Sequence, residues 1–219
     1  SLTAKATASL FGLPLLKMDM GSLMGKYVGE SEGNMRRAIA VAEAVSPCVL
    51  WVDEVEKAFA GIGSGAAGSE VATRLFGYFL TWMQEKTAQV FVVTTANDIS
   101  VLPPELLRKG RFDEIFYVDF PNEAERKAIF RVHLDKRKKM NQQIDLHKLA
   151  KATDKYSGAD IESIVKEGIE RAFLANRAEL DTQRLMQVIE ATHPLGMVMK
   201  DKVKQYQNRF AEMKIKSAS

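Results

Sequence analysis

The chain has 219 residues, enough for one domain or two small ones with a sizeable core. Its hydrophobic fraction of 46% and charged fraction of 27% are ordinary for a globular protein, and a net charge of +3 points to no particular polyanionic partner. The single cysteine, Cys48, excludes an intrachain disulfide and fits the cytoplasm or an equivalent reducing compartment, and no apolar run approaches the roughly 18 residues of a membrane span.

The first half reads as alternating strands and helices. Residues 2–11 form an Ala- and Leu-rich helix stopped by Gly12 and Pro14. Residues 14–19 are a short strand, and 21–29 a glycine-punctuated loop around Lys26-Tyr27-Val28. A helix over 31–45 follows, with Met35, Ala38, Ile39, Val41, Ala42 and Val45 at helical spacing. Cys48 to Val52 is a continuous apolar run bounded by Pro47 and by acid, the profile of a strand buried on both faces. A Gly/Ala/Ser loop at 61–68 precedes a long helix with Val71, Leu75, Phe79, Leu80 and Met83 on one face. Residues 89–95 are the next buried strand, 103–107 a short helix broken by Gly110, and 114–120 the last strand. Strands separated by helices imply a parallel sheet in a three-layer αβα sandwich.

From Asn122 onward no strand is evident. A helix over 123–138 turns Ala128, Ile129 and Val132 inward, and a short helix occupies 145–153. Ser157 and Asp160 form a capping box that opens a helix with apolar positions 161, 164, 165, 168, 169, 172 and 173. Asp181 caps a further helix to about 192. The reading is an α/β domain over 1–120, a small all-helical domain over 121–195 and a tail over 196–219, amphipathic at best. The basic run 136–139 sits at a helix C-terminus, where the helix dipole accounts for it without a nucleic acid.

The chemistry is expected at strand ends, where open parallel sheets bind ligands. Asp53 and Glu54 follow the apolar strand directly. The first carboxylate suits Mg²⁺ held through its water shell, and the second suits orientation of the attacking water in phosphoryl transfer. An apolar strand ending in adjacent acids is the second half of a P-loop site. Its first half, a glycine-rich loop ending in Lys-Ser or Lys-Thr before a helix, is represented only by Ser1 and the helix after it. The sequence therefore reads as cut within its phosphate loop, with the first strand missing and Gly-x-x-x-x-Gly-Lys expected before Ser1. A chain without that loop lacks the backbone cradle and main cation for the phosphates and is expected to be inactive by itself.

With these residues stands the run Leu102-Pro103-Pro104-Glu105-Leu106-Leu107-Arg108-Lys109-Gly110-Arg111-Phe112-Asp113. It is similar to the second region of homology of AAA-family ATPases in the AAA+ superfamily, the clade of proteasomal ATPases, FtsH-type proteases and valosin-containing protein. The resemblance covers about residues 1–192. Ser46-Pro47-Cys48, Lys57-Ala58-Phe59-Ala60-Gly61 and Thr81-Trp82-Met83-Gln84-Glu85-Lys86 look most like the plastid and cyanobacterial-type open-reading-frame AAA proteins, whose wording before the strand is Ala-Pro-Cys-like.

The resemblance implies roles residue by residue. Ser1 would ligate Mg²⁺, and Leu2 would offer its backbone N–H to phosphate. Asp53 and Glu54 match the metal-binding and catalytic acids, and Asn97 the amide that senses the γ-phosphate. Arg108 and Arg111 match arginine fingers that enter a neighbouring subunit's site. His133, Gly158 and Ala159 match positions along the ribose and adenine of ATP or ADP, although His133 also reads as a helix histidine at a seam. Lys26, Tyr27 and Val28 match an aromatic pore loop that grips a polypeptide, with the loop at 61–68 at the place of a second; a tyrosine folded back on its domain is the plainer reading. Trp51 and Trp82 read as core.

The function implied is an ATP-driven remodelling motor acting on protein substrates as a homo-oligomeric, hexameric ring. The alternatives are a nucleotide-dependent regulatory or assembly protein that threads nothing, and a nucleic-acid motor. The aromatic loop favours the first, and modest charge without a base-reading module disfavours the last. No His-Glu-x-x-His run occurs, so the chain carries no zinc-protease motif of the FtsH kind.

Overall fold

A computed structural model describes residues 2–23, 30–59, 67–102, 106, 110–175 and 179–218, with backbone alone at 58–59 and 67–72. Two compact units divide between Asp113 and Glu114.

The first unit is built on three parallel strands: β1 (Leu15–Asp19), β2 (Cys48–Asp53) and β3 (Val90–Thr94), in the order β1-β2-β3. Asp19 lies opposite Asp53, and Val52 opposite Thr94, so the three C-terminal ends are level. β2 is central, and Cys48 to Val52 are all buried, as a strand covered on both faces requires. Its alternation divides the covering. Cys48, Leu50 and Val52 pack with Met35, Ile39 and Ala42 of α3 (Glu30–Ala44) and Leu75, Phe76, Phe79 and Leu80 of α4 (Ala67–Glu85). Val49 and Trp51 point to the other face, where α1 (Leu2–Phe11) packs on β1 and β2 and buries Ala4 and Ala8. This unit is an α/β layered fold with a parallel sheet. The α1 helix ends where Gly12 takes φ 64, with Gly12 N–H bonded to Ser9 O and Leu13 N–H to Ala8 O, a Schellman closure that glycine allows without strain. Trp82 is core, and its Nε1 donates to Glu43 Oε1 at 2.9 Å, tying α4 to α3.

Several expectations need correction here. β3 is not doubly buried. It is the sheet edge among the described residues, and Phe91 is 51% exposed against a T-shaped contact with Phe11. Val41 and Val45 are exposed, because the buried stripe of α3 runs through Ser31, Met35, Ile39 and Ala42. Residues 21–23, expected within a loop, belong instead to α2 (Met20–Leu23), a helical turn that buries Met20. Residues 24–29, with the aromatic loop, lie outside the described residues, and so does most of 61–68, although α4 already begins at Ala67. Of the helix expected at 103–107 only Leu106 is described. A 3₁₀ turn, Ile99–Val101, precedes it, capped by Asp98, whose carboxylate accepts Ser100 N–H at 2.8 Å.

The second unit holds α5 (Glu123–Lys136), α6 (Leu146–Ala152), α7 (Gly158–Leu174) and α8 (Thr182–Ala191) around Phe130, Leu134, Leu149, Ile161, Ile164, Val165 and Leu185. Each of these four helices has its N-cap made by a side chain: Asn122 and Ser157 in capping boxes, Asp145 and Asp181 alone. The inward face of α5 differs from expectation. Ala128 and Val132 are exposed, and the buried stripe is Arg126, Phe130 and Leu134. Arg126 tolerates burial because Nε donates to Ala150 O at 3.0 Å and Nη1 to Pro121 O at 2.7 Å. Phe173 is not core either, at 79% exposed.

The expected strand at 114–120 shrinks to β4 (Phe116–Tyr117) and lies outside the three-stranded sheet. Asp119 bonds locally to Phe120 N–H at 2.8 Å, which removes a ladder donor, and Pro121 has none. The tail, read as amphipathic at best, is mostly helical. Helices α9 (Leu195–Val198) and α10 (Lys200–Glu212) lead to β5 (Lys216–Ser217), which pairs in parallel with β4, while Phe210 stacks on Tyr117 at 4.3 Å.

Two glycines give opposite forecasts. A Cβ on Gly168 would lie 2.7 Å from Leu185 Cδ2 inside the core, whereas one on Gly77 of α4 meets nothing within 4 Å. Overpacking costs about 1–3 kcal/mol, against about 0.5–1 kcal/mol gained by removing a helical glycine. Gly168→Ala is therefore expected to lower the melting temperature and Gly77→Ala to leave or raise it. Equal shifts on thermal denaturation would show that Leu185 moves aside freely.

Candidate functional site

The level strand ends of the first unit gather the polar groups. Asp53 closes β2, and each of its oxygens has a partner, one just past the end of β3 and one on β1. Oδ1 accepts the Thr95 hydroxyl at 2.8 Å, and Oδ2 lies 3.0 Å from Lys17 Nζ of β1. Lys17 stands opposite Trp51 in register, and its ammonium sits 4.6 Å from the Trp51 ring centroid. Burial pushes the Asp53 carboxyl upward, but the Lys17 ammonium and the Thr95 hydroxyl outweigh it and leave the group below its ordinary value. Asp53 is thus an anion across the physiological range.

Thr95 ties the ends together. Its N–H donates to Val52 O and its carbonyl accepts Val55 N–H, both at 3.0 Å, while Glu54 N–H and Trp51 Nε1 point at its hydroxyl from 3.4 Å. Glu54 then turns the chain with φ 51, the left-handed region that costs a non-glycine residue about 1–2 kcal/mol. That turn sends its carboxylate toward the end of β3. Glu54 Oε1 accepts Asn97 Nδ2 at 3.3 Å, and Lys57 pairs with Oε2. Asn97 is itself held, since its N–H donates to Glu56 Oε1 at 3.1 Å. Asp53, Glu54 and Asn97 therefore share one edge of the sheet, with a strained backbone at the residue expected to handle the water.

The other expected residues fall as follows. Leu2 is exposed at the start of α1, and Ser1 lies outside the described residues, as do Arg108 and Lys26-Tyr27-Val28. Arg111 donates to Gln84 Oε1 near the end of α4. In the second unit His133 of α5 is half-buried, and its Nδ1 lies 3.3 Å from Arg137 Nη1. Burial lowers its pKa, with Arg137, Lys136 and Lys166 adding and Glu162 opposing, so the ring is neutral at pH 7. Gly158 opens α7 and Ala159 follows; a Cβ on Gly158 would meet only Ile129 Cδ1 at 3.9 Å, so packing within the unit does not demand glycine.

Lys17, Thr95 and Glu56 were given no role from the sequence. A lysine alternating with apolar residues in a short strand reads as solvent-facing. Its partner becomes apparent only once β1 and β2 are in register.

The acid beside His133 carries a pH forecast. Hydrogen bonds from Arg137 at 2.8 Å and from Lys166 lower the Glu162 pKa from 4.5 to about 2. The folded pKa is depressed, so the contribution to stability is present above pH 4.5 and lost as pH falls toward 2. Glu162→Gln is expected to lower the denaturation midpoint modestly at pH 7, to leave it unchanged near pH 2, and so to flatten its acid limb. An unchanged acid limb would mean that this cluster is solvent-screened.

Residues 1–120 match the profile described as ATPase family associated with various cellular activities (AAA), and residues 143–187 match the AAA+ lid domain. The chain is similar to the "Uncharacterized AAA domain-containing protein ycf46" of Pyropia yezoensis, 47% identical over all of this chain and 44% of the relative, and to that of Guillardia theta, 44% identical over all of this chain and 43% of the relative. It is also similar to the cell division cycle protein 48 homolog of Archaeoglobus fulgidus, 33% identical over 76% of this chain and 23% of the relative. The chain spans less than half the length of these curated relatives. With an α/β unit of parallel strands followed by a helical unit, and with both profiles matched in that order, the chain belongs to the AAA family of nucleotide-dependent ATPases.

Proposed function

We propose that this chain carries the hydrolytic part of a ring-forming ATPase that remodels proteins. The observation that supports the reading best is the union of Asp53, Glu54 and Asn97 at one sheet edge, with Asn97 Nδ2 on Glu54 Oε1. Glu54 is the general base, Asn97 orients it or the γ-phosphate, and Asp53 holds the metal. Ser1 is the second metal residue and Leu2 N–H a phosphate donor. Arg108 and Arg111 act on a neighbouring subunit's phosphate. His133, Gly158 and Ala159 are the second unit's candidates for the nucleoside: a neutral imidazole suits a base or ribose better than a phosphate, and a glycine that packing does not require leaves room for close approach.

The donors suit Mg²⁺ that arrives with phosphates. Among the described residues no group of three His, Cys, Asp or Glu side chains is placed to hold a metal. Asp53 offers one hard carboxylate, which is what Mg²⁺ takes from a protein when phosphates and water supply the rest. Bound there, Mg²⁺ would neutralise charge on the transferring phosphoryl group. Among the described residues no helix is long and apolar enough to cross a membrane.

Tyr27 separates a threading motor from an assembly protein that only binds nucleotide. In a protein that carries the phosphate loop expected before Ser1, Tyr27→Ala is expected to leave basal ATP hydrolysis and thermal stability in place and to abolish ATP-coupled unfolding of a protein substrate. Both activities are to be measured on one preparation. If turnover and melting temperature fall together, Tyr27 is structural. If nothing changes, the assembly reading stands.

A further inference from the structure

Among the described residues, Lys17 is the partner of Asp53 that is free to leave. Thr95 is fixed, because its backbone bonds to both Val52 and Val55 and its hydroxyl meets Asp53 Oδ1 at 2.8 Å. Lys17 holds Oδ2 from a side chain that is 50% exposed, while Asp53 is 20% exposed. Its ammonium already lies over the Trp51 ring, so it has a second resting place when it releases the carboxylate. The oxygen it covers is on the carboxylate read above as the metal holder.

We propose that Lys17 is a tethered counter-ion of Asp53. It is a positioning residue that holds the carboxylate in place before nucleotide binds and competes with a divalent cation for Oδ2. The inference rests on the reading of Asp53 as the metal carboxylate. Whether the metal meets Oδ2 directly or through a water of its shell, it brings a second positive charge to an oxygen that the ammonium occupies, so it has to displace the ammonium. A free metal ion pays that displacement alone. A metal carried by phosphates brings anionic oxygens that attract the displaced ammonium. Entry of metal with nucleotide is thereby favoured over entry of metal by itself.

The structure supplies its own reporter. Trp51 Nε1 points at Thr95 Oγ1 from 3.4 Å, and that hydroxyl donates to Asp53 Oδ1 at 2.8 Å, so the indole N–H senses the carboxylate through one relay. The only other indole is Trp82, bonded to Glu43. The experiment is a MgCl₂ titration of ¹⁵N-tryptophan-labelled protein without nucleotide, following both indole N–H signals, with Trp82→Phe for assignment. In the wild type the Trp51 signal is expected to move with a midpoint in the millimolar range while Trp82 stays. Lys17→Met is expected to lower that midpoint about two- to fivefold, the range open to a half-exposed ion pair. Lys17→Arg should keep it near the wild-type value, and Asp53→Asn should abolish the movement. Should Lys17→Met disturb the Trp82 signal, Lys17→Gln replaces it. An unchanged or raised midpoint without the cation, or movement that survives in Asp53→Asn, overturns the proposal. Because the titration contains no nucleotide, it can fail while turnover still depends on Asp53, and it can succeed in a protein that hydrolyses nothing.

Discussion

In a protein that carries the phosphate loop expected before Ser1, Glu54→Gln is expected to lower ATP turnover by about 10²–10⁴-fold while leaving nucleotide bound, the usual loss when a well-placed general base is removed. The amide keeps the size of the side chain but cannot accept the water's proton. It can still accept Asn97 Nδ2, which now meets Glu54 Oε1 at 3.3 Å, so the local frame should survive. The backbone strain at φ 51 belongs to the turn and is shared by both residues. Turnover is read by phosphate release and binding by retention of labelled ATP on the assembled protein. Undiminished phosphate release would remove Glu54 from the chemistry. Loss of binding together with turnover would assign it to the frame.

What the sequence made legible, and what it hid, follows from the range of the interactions. β2 was readable because burial on both faces writes a continuous apolar run, and the acids at its end mark the site without reference to any other segment. The caps at Ser157 and Asp181 were readable because a cap is local chemistry over three or four residues. Arg126 was not, since a charged residue is buried only when distant carbonyls await it, here those of Ala150 and Pro121. Lys17 was hidden for the same reason. Its role depends on the register that sets it beside Trp51, a long-range fact. The exposed edge of β3 and the removal of residues 116–117 to a separate sheet were likewise invisible, because an apolar strand reads alike wherever its partner lies. In the tail, Phe210 becomes an anchor only when Tyr117 meets it, a contact that no local pattern writes.

The second large effect concerns the arginines. Arg111 donates to Gln84 Oε1, and Glu54 makes its bonds with Asn97 and Lys57, so the described contacts of Arg111 are not with the acids of its own chain. A guanidinium engaged elsewhere in its own unit suits action on a neighbour. Arg111→Ala is expected to lower turnover by about 10³-fold or more, the scale on which an arginine finger supports phosphoryl transfer, with little change in ATP affinity. Loss of the Gln84 bond is an exposed hydrogen bond and should cost little stability. Arg108 lies outside the described residues, and the same substitution there is expected to act alike. Mixing decides between the two geometries. An Arg111→Ala subunit keeps Glu54, and a Glu54→Gln subunit keeps Arg111, so a mixed assembly contains interfaces with both groups intact. Partial recovery of phosphate release on mixing two inactive proteins is the expected result. Recovery cannot arise if arginine and glutamate must come from one chain, and its absence in a confirmed mixed assembly, or full activity in a demonstrated monomer, would place Arg111 in its own subunit's service.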